Sequence, residues 1–191
     1  MPFTGKYNSS LHTFKCRWET LAVAFWKRYP NPMSKHVHSE DVISRELEGE
    51  KLRTKRLLFK SNRLPKFGER FVTHGSQAIV VEDSIVDPKQ QKLTTYTWNV
   101  NLRRLMTVEE KCVYSASPDN KEWTHCVKES WIQSSVFGFS RPLQAFGSSR
   151  YKENSKKATR GLEYVIEKMN DTQPTATMKA FPNIKIEPQL A

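Results

Sequence analysis

Arg150, Asn154 and Lys157 share one face of a long helical period near the end of the chain. That face runs through Leu143, Phe146, Gly147, Arg150, Asn154, Lys157, Ala158, Gly161, Leu162, Val165 and Met169, in steps of three and four residues. Both ends of the stripe are apolar, while its middle carries two cations and an amide. Such groups hold an anion by charge-assisted hydrogen bonds. They are also what a helix turns to water when it rolls. In a dry core, unpaired cations would be very costly, so the anion reading requires a ligand or water beside them. Arg28 has two readings as well. It follows the apolar run Trp18, Leu21, Ala22, Phe25 and Trp26 and precedes Pro30 and Pro32, which forbid further helix. It therefore falls in the last helical turn, where a cation suits the negative end of the dipole. There it is either a solvated terminal charge or an anion-binding group at the edge of an apolar space.

The elements that must position these groups form an α+β pattern. After the first helix, strands are expected at 37–47, 51–60, 77–86, 92–101, 106–115 and 122–133, with another at about 9–15. Glu48-Gly49-Glu50, Asp87-Pro88-Lys89-Gln90 and Ser117-Pro118-Asp119-Asn120 mark turns. Tyr96, Trp98 and Val100 alternate with Thr95, Thr97 and Asn99 across one strand. Short connections argue for a meander, hence one curved antiparallel sheet of about seven strands around the long C-terminal helix. Phe67 and Phe71, four apart with Gly68 between them, suggest a weak short helix that is either a connection or a movable lid. Ser140 and Pro142 start the last helix, which runs to about Met169. Residues 1–171 read as one domain. Residues 172–191 carry Pro174, Pro182 and Pro188 without apolar period, and read as a disordered tail.

Thirty-one Lys and Arg against 20 Asp and Glu leave a formal net charge of +11. That favours polyanionic partners, either nucleic acid or an anionic membrane surface. No helix-turn-helix, zinc-finger or RNA-recognition signature accompanies the charge, which makes nucleic acid the lesser reading. No apolar run approaches the length of a membrane span. Residues 1–18 lack the apolar middle of a secretory signal and read as a first strand. Cys16, Cys112 and Cys126 are odd in number and form no Cys-x-x-Cys, so they read as small buried hydrophobes, with no metal site. Nucleophile, zinc-protease and phosphate-loop motifs are missing, which argues against an enzyme or a cofactor. His36 and His38 have strand spacing that sends their rings to opposite faces, a poor arrangement for one metal.

The stretch Phe25-Trp26-Lys27-Arg28-Tyr29-Pro30-Asn31-Pro32 closely resembles the opening signature of the PRELI-like family of mitochondrial lipid-transfer proteins. The resemblance continues through Arg56-Leu57-Leu58-Phe59-Lys60-Ser61-Asn62-Arg63-Leu64-Pro65, Glu82-Asp83-Ser84-Ile85-Val86-Asp87-Pro88 and Thr94-Thr95-Tyr96-Thr97-Trp98-Asn99. It covers nearly all of the chain except the tail. It implies a START-like, phosphatidylinositol-transfer-like lipid cavity. It also implies headgroup-binding roles for Arg28, His36, Lys60, Arg63, Arg150, Asn154 and Lys157, and a lid at Phe67, Gly68 and Phe71. Arg63 and Arg150 stand where relatives can have Lys, which keeps the charge and adds a planar fork. The cargo so implied is phosphatidic acid, with phosphatidylserine, preferred by the sister branch, as the alternative. The resemblance places the protein in the mitochondrial intermembrane space, at anionic membranes, feeding cardiolipin synthesis. It pairs the protein with a small helical-hairpin partner bearing twin Cys-x9-Cys motifs.

Overall fold

Short turns drive consecutive strands into one meander. In the computed structural model, which describes residues 5–61 and 77–171, β1 (Lys6–Phe14) is followed by α1 (Trp18–Trp26) and a single 3-10 turn, Pro32–Ser34. Six strands come next: β2 (Val37–Glu48), β3 (Lys51–Ser61), β4 (Gln77–Asp87), β5 (Lys92–Asn99), β6 (Thr107–Ala116) and β7 (Thr124–Gln133). The chain then enters α2 (Ser140–Asp171). All pairings are antiparallel, in the order β1-β7-β6-β5-β4-β3-β2. The first strand thus closes against the last, while β2 forms the far edge.

Turn chemistry agrees with the sequence reading. Gly49 takes φ +63° between β2 and β3, a conformation glycine adopts without steric cost. The Asp87 side chain accepts from the Gln90 amide at 3.0 Å and holds the next turn. The expected strands are present with ends shifted by a few residues, and β1 begins at Lys6 rather than near residue 9.

Strand parity sends Leu93, Cys112, Tyr114 and Cys126 to the inner face, against Trp18, Leu21, Ala24 and Phe25 of α1 and Leu162, Val165 and Ile166 of α2. Leu21, Leu93 and Cys126 are fully buried. Burying each large apolar side chain in such a cluster is worth roughly 1.5–3 kcal/mol. This core occupies one end of the space between sheet and helices. The three cysteines are free and buried, as expected. Among the described residues, no helix is long and apolar enough to cross a membrane.

Candidate functional site

The middle of α2 is neither core nor open surface. Leu143, Gly147, Gly161, Leu162, Val165 and Ile166 are buried at its ends, while Arg150, Asn154 and Lys157 are half-buried. Arg150 and Asn154 face a cavity of about 230 Å³ between helix and sheet. Arg150 and Asn154 line it from the helix, Lys60 from the end of β3, and His36 from the turn before β2. The His36 carbonyl accepts from the Ser61 amide at 2.8 Å, which fixes the histidine beside the end of β3. Apolar walls come from Val80, Val108, Met106 and Phe146. Four of the seven expected headgroup residues therefore share one cavity.

Several cations act on one point of this cavity. The His36 imidazole is held below its ordinary pKa of 6.5, first by burial, then by Lys60, Lys157, Arg150 and His38. Lys157 thus acts on the same spot without lining the cavity. Two acids lie near these cations: Glu110, which lines the cavity from β6, and exposed Glu153, which accepts from Lys157 at 2.7 Å and Arg150 at 3.4 Å. An exposed pair of this kind is worth at most about 1 kcal/mol and exchanges readily for a better anion. Its spacing, three residues after Arg150 and four before Lys157, is legible in the sequence.

The sign of the His36 shift gives a pH prediction. The folded protein holds fewer protons on His36 than the unfolded chain does, so stability conferred by this group falls as pH drops through 6.5. An anion in the cavity offsets the neighbouring cations and should raise the His36 pKa. Lys60→Gln should raise it in the unloaded protein too. Imidazole NMR titration of wild type and Lys60→Gln checks this, and identical titration curves would refute the electrostatic account.

Arg28 is not a solvated terminal charge. α1 ends at Trp26 with Lys27 as its cap, so Arg28 lies just beyond the helix and not in its last turn. Its side chain is only 11% exposed and pairs with Glu82. Its other nitrogen donates to the Phe25 carbonyl at 3.2 Å, and its guanidinium lies 3.9 Å from the Phe25 ring centroid. Burial is the largest single influence and works against its charge, but Glu82 together with Tyr29 and Tyr114 outweighs it and the net pKa is raised. Glu82 is shared with Arg56, which also donates to Glu40 at 2.9 Å. Two guanidiniums and two carboxylates thus form a largely buried quartet. Arg28 does not line the cavity, whereas Tyr29 does. Asn31, in the same turn, donates to the Arg28 carbonyl and accepts from Met33 N at 2.9 Å. A Cβ at Gly161 of α2 would stand 2.8 Å from the Asn31 amide oxygen, so only glycine lets the helix approach this turn.

Sequence reasoning also missed Lys128 of β7. It is 6% exposed, and its ammonium donates to Thr159 at 2.7 Å and to Ser155 at 3.4 Å on α2. Ser148 adds a bond to Asn8 at 3.1 Å and Glu163 one to His12 at 2.9 Å. The middle of the helix is thus joined to β1 and β7 by polar contacts that water can replace. Arg63, Phe67, Gly68 and Phe71 lie outside the described residues.

The PRELI-like family model matches residues 19–172. The chain belongs to the PRELI-like family. "PRELI domain-containing protein 1, mitochondrial" from Gallus gallus is 49% identical over 179 residues, covering 91% of this PRELI-like chain and 82% of the relative. The Homo sapiens protein of the same name is 46% identical over 176 residues, covering 91% and 80%. "Protein UPS1, mitochondrial" from Saccharomyces cerevisiae is 31% identical over 167 residues, covering 87% and 95%. Among solved structures, the Zhui aromatase/cyclase from a Streptomyces species superposes with a TM-score of 0.60 at 9% identity, covering 86% of this chain and 95% of that one. TTHA0849 from Thermus thermophilus gives 0.58 at 15%, covering 86% and 99%. These likenesses show that the PRELI-like chain has the START-like fold. They carry no chemistry, since one of the neighbours is an enzyme by name.

Proposed function

We propose that this protein is a non-enzymatic carrier that moves phosphatidic acid between mitochondrial membranes, across the intermembrane space, in support of cardiolipin synthesis. The observation that carries the reading is the convergence of His36, Lys60, Arg150 and Asn154 on one apolar-walled cavity, with Lys157 within electrostatic reach. A phosphomonoester suits that convergence. It is compact, carries about −1.5 to −2 charges at pH 7, and offers three acceptor oxygens. Arg63, from the matching motif, joins the proposed headgroup set, and Phe67, Gly68 and Phe71 keep their proposed lid role. The names of the relatives support a mitochondrial setting. The family resemblance supports a small twin Cys-x9-Cys protein as partner and an anionic membrane as the docking surface.

The energetic problem such a carrier solves is set by the acyl chains. At about 0.8 kcal/mol per methylene, two long chains exposed to water would cost on the order of 20 kcal/mol or more. The apolar walls of the described cavity, among them Val80, Met106, Val108 and Phe146, begin the replacement of that environment beside the cations that meet the headgroup.

Mass spectrometry of lipid retained by the purified protein should find phosphatidic acid. Liposome assays should show phosphatidic acid transferred at least tenfold faster than phosphatidylcholine, with phosphatidylserine as the comparison for headgroup choice. Equal rates for all three lipids would defeat headgroup selection.

A further inference from the structure

We propose that the outer face of the sheet holds a second site, of opposite charge preference to the cavity, for an organic ammonium group of the choline class. The strand register aligns Trp98 of β5 with Glu109 of β6, Glu109 with Trp131 of β7, and Trp131 with Tyr7 of β1. Parity points this row away from α2. Trp98 and Trp131 stand two strand spacings apart, about 9.5 Å, with a carboxylate between them. Tyr96, one position along the same face, pairs with Asp83. Tyr96, Trp98, Glu109 and Trp131 line a concavity of about 480 Å³, with Asp83 and Arg103 at its sides.

The composition of this patch selects a cation that is large and weakly hydrated. Aromatic faces attract cations within about 6 Å of their centroids, and rings grouped around one point are how quaternary ammonium groups are recognised. Tyr7 is 50% exposed and Tyr96 42%. The Tyr7 and Trp131 rings stand 5.6 Å apart at 47°. Asp83 is taken by Arg53 at 2.9 Å, and Tyr7 donates to Glu129 at 2.7 Å. The Glu109 side chain, by contrast, has no hydrogen-bond or ion-pair partner among the described residues, although the chain carries a net charge of +11. The protein already sets one of its own cations against this surface, since the Lys111 ammonium lies 5.7 Å from the Tyr96 ring centroid. The proposed trimethylammonium group would sit in the concavity that Trp98 and Trp131 both line, with Glu109 supplying the charge. The ligand is either a free choline-type molecule or the choline headgroup of a lipid.

The test is an NMR titration of the full-length protein, following the Trp98 and Trp131 indole N–H signals. Choline should shift both with a midpoint in the millimolar range. The neutral carbon isostere, 3,3-dimethyl-1-butanol, should bind at least tenfold more weakly. Glu109→Gln, at an exposed position, should weaken choline about tenfold at unchanged melting temperature, and Trp131→Ala should abolish the Trp98 shift. Sedimentation with phosphatidylcholine vesicles that depends on Glu109 assigns the site to a lipid headgroup. Choline binding without such sedimentation assigns it to a free ligand. Three results would overturn the site: no shift at 100 mM choline, equal binding of the isostere, or choline shifts unaltered by both substitutions. Phosphatidic acid transfer by Glu109→Gln should remain at the wild-type rate, so failure here leaves the carrier reading separately testable.

Discussion

Lys60→Glu combined with Arg150→Glu is expected to reduce phosphatidic acid transfer by at least a hundredfold while the protein stays folded. Both side chains line the cavity, from opposite walls, one on β3 and one on α2. Each hydrogen bond to a charged group is worth about 1.5–3 kcal/mol, so losing two removes about 3–6 kcal/mol of headgroup binding. At about 1.4 kcal/mol per tenfold, that is a factor of roughly 10² to 10⁴. Reversal adds repulsion to the loss. The structural cost is small by comparison. Both residues are half-buried, and a glutamate at 150 meets Glu153 one turn away at a cost of a few tenths of a kcal/mol. Transfer should be measured beside thermal unfolding of the same samples. Rates within threefold of wild type at matched stability would remove the cavity from the mechanism.

Arg28→Glu is expected to act on the fold before it acts on the cargo. It sets a carboxylate where Glu82 already has one and leaves Arg56 to neutralise the group alone. Breaking a buried ion pair by removing one partner costs about 3–5 kcal/mol. For a domain of this size each kcal/mol moves the melting temperature by about 2–4 °C, so the midpoint should fall by roughly 6–20 °C. Loss of transfer in this variant would then report the fold. A fully stable Arg28→Glu protein without transfer would instead return Arg28 to the headgroup. Acid has a related effect. Burial raises the Glu82 pKa, but Arg28 and Arg56 outweigh it and hold the group below its ordinary 4.5. A group depressed in this way gives stability that is complete above 4.5 and fades as pH falls through the folded value. Glu82→Gln should therefore flatten the acid limb of the stability profile.

The contrast between these two variants shows what the sequence makes visible. Arg150, Asn154 and Lys157 stand out because they interrupt an apolar stripe of fixed period, and such an interruption survives any detail of tertiary packing. The strands are legible for the same reason, through alternation and turn residues. The quartet is not. Arg56 follows Lys55, and nothing local says which of the two faces inward. A shift of one residue exchanges the faces of a strand, and only the pairing of Arg56 with Glu82, 26 positions away, decides it. Lys128 is hidden for that reason too, as one lysine among many on a basic chain. Helical spacing reads Arg28 as a helix-end charge because its partner lies on β4, beyond the reach of that spacing.

The gathering of cations at one cavity has a consequence for how long the protein stays where it is. Empty, the chain presents +11. Filled with a phosphomonoester of about two negative charges, it presents about +9. Near an anionic bilayer each well-placed charge is worth about 1 kcal/mol, so the empty form is held tighter by about 2 kcal/mol, some thirtyfold in dwell time. In the proposed carrier cycle, cargo therefore acts as its own release signal at the donor membrane, and delivery strengthens the grip at the acceptor. Protonation of His36 on loading would return part of that charge. On acidification the two dwell times should then converge, and turnover should become limited by departure of the protein rather than by extraction of the lipid.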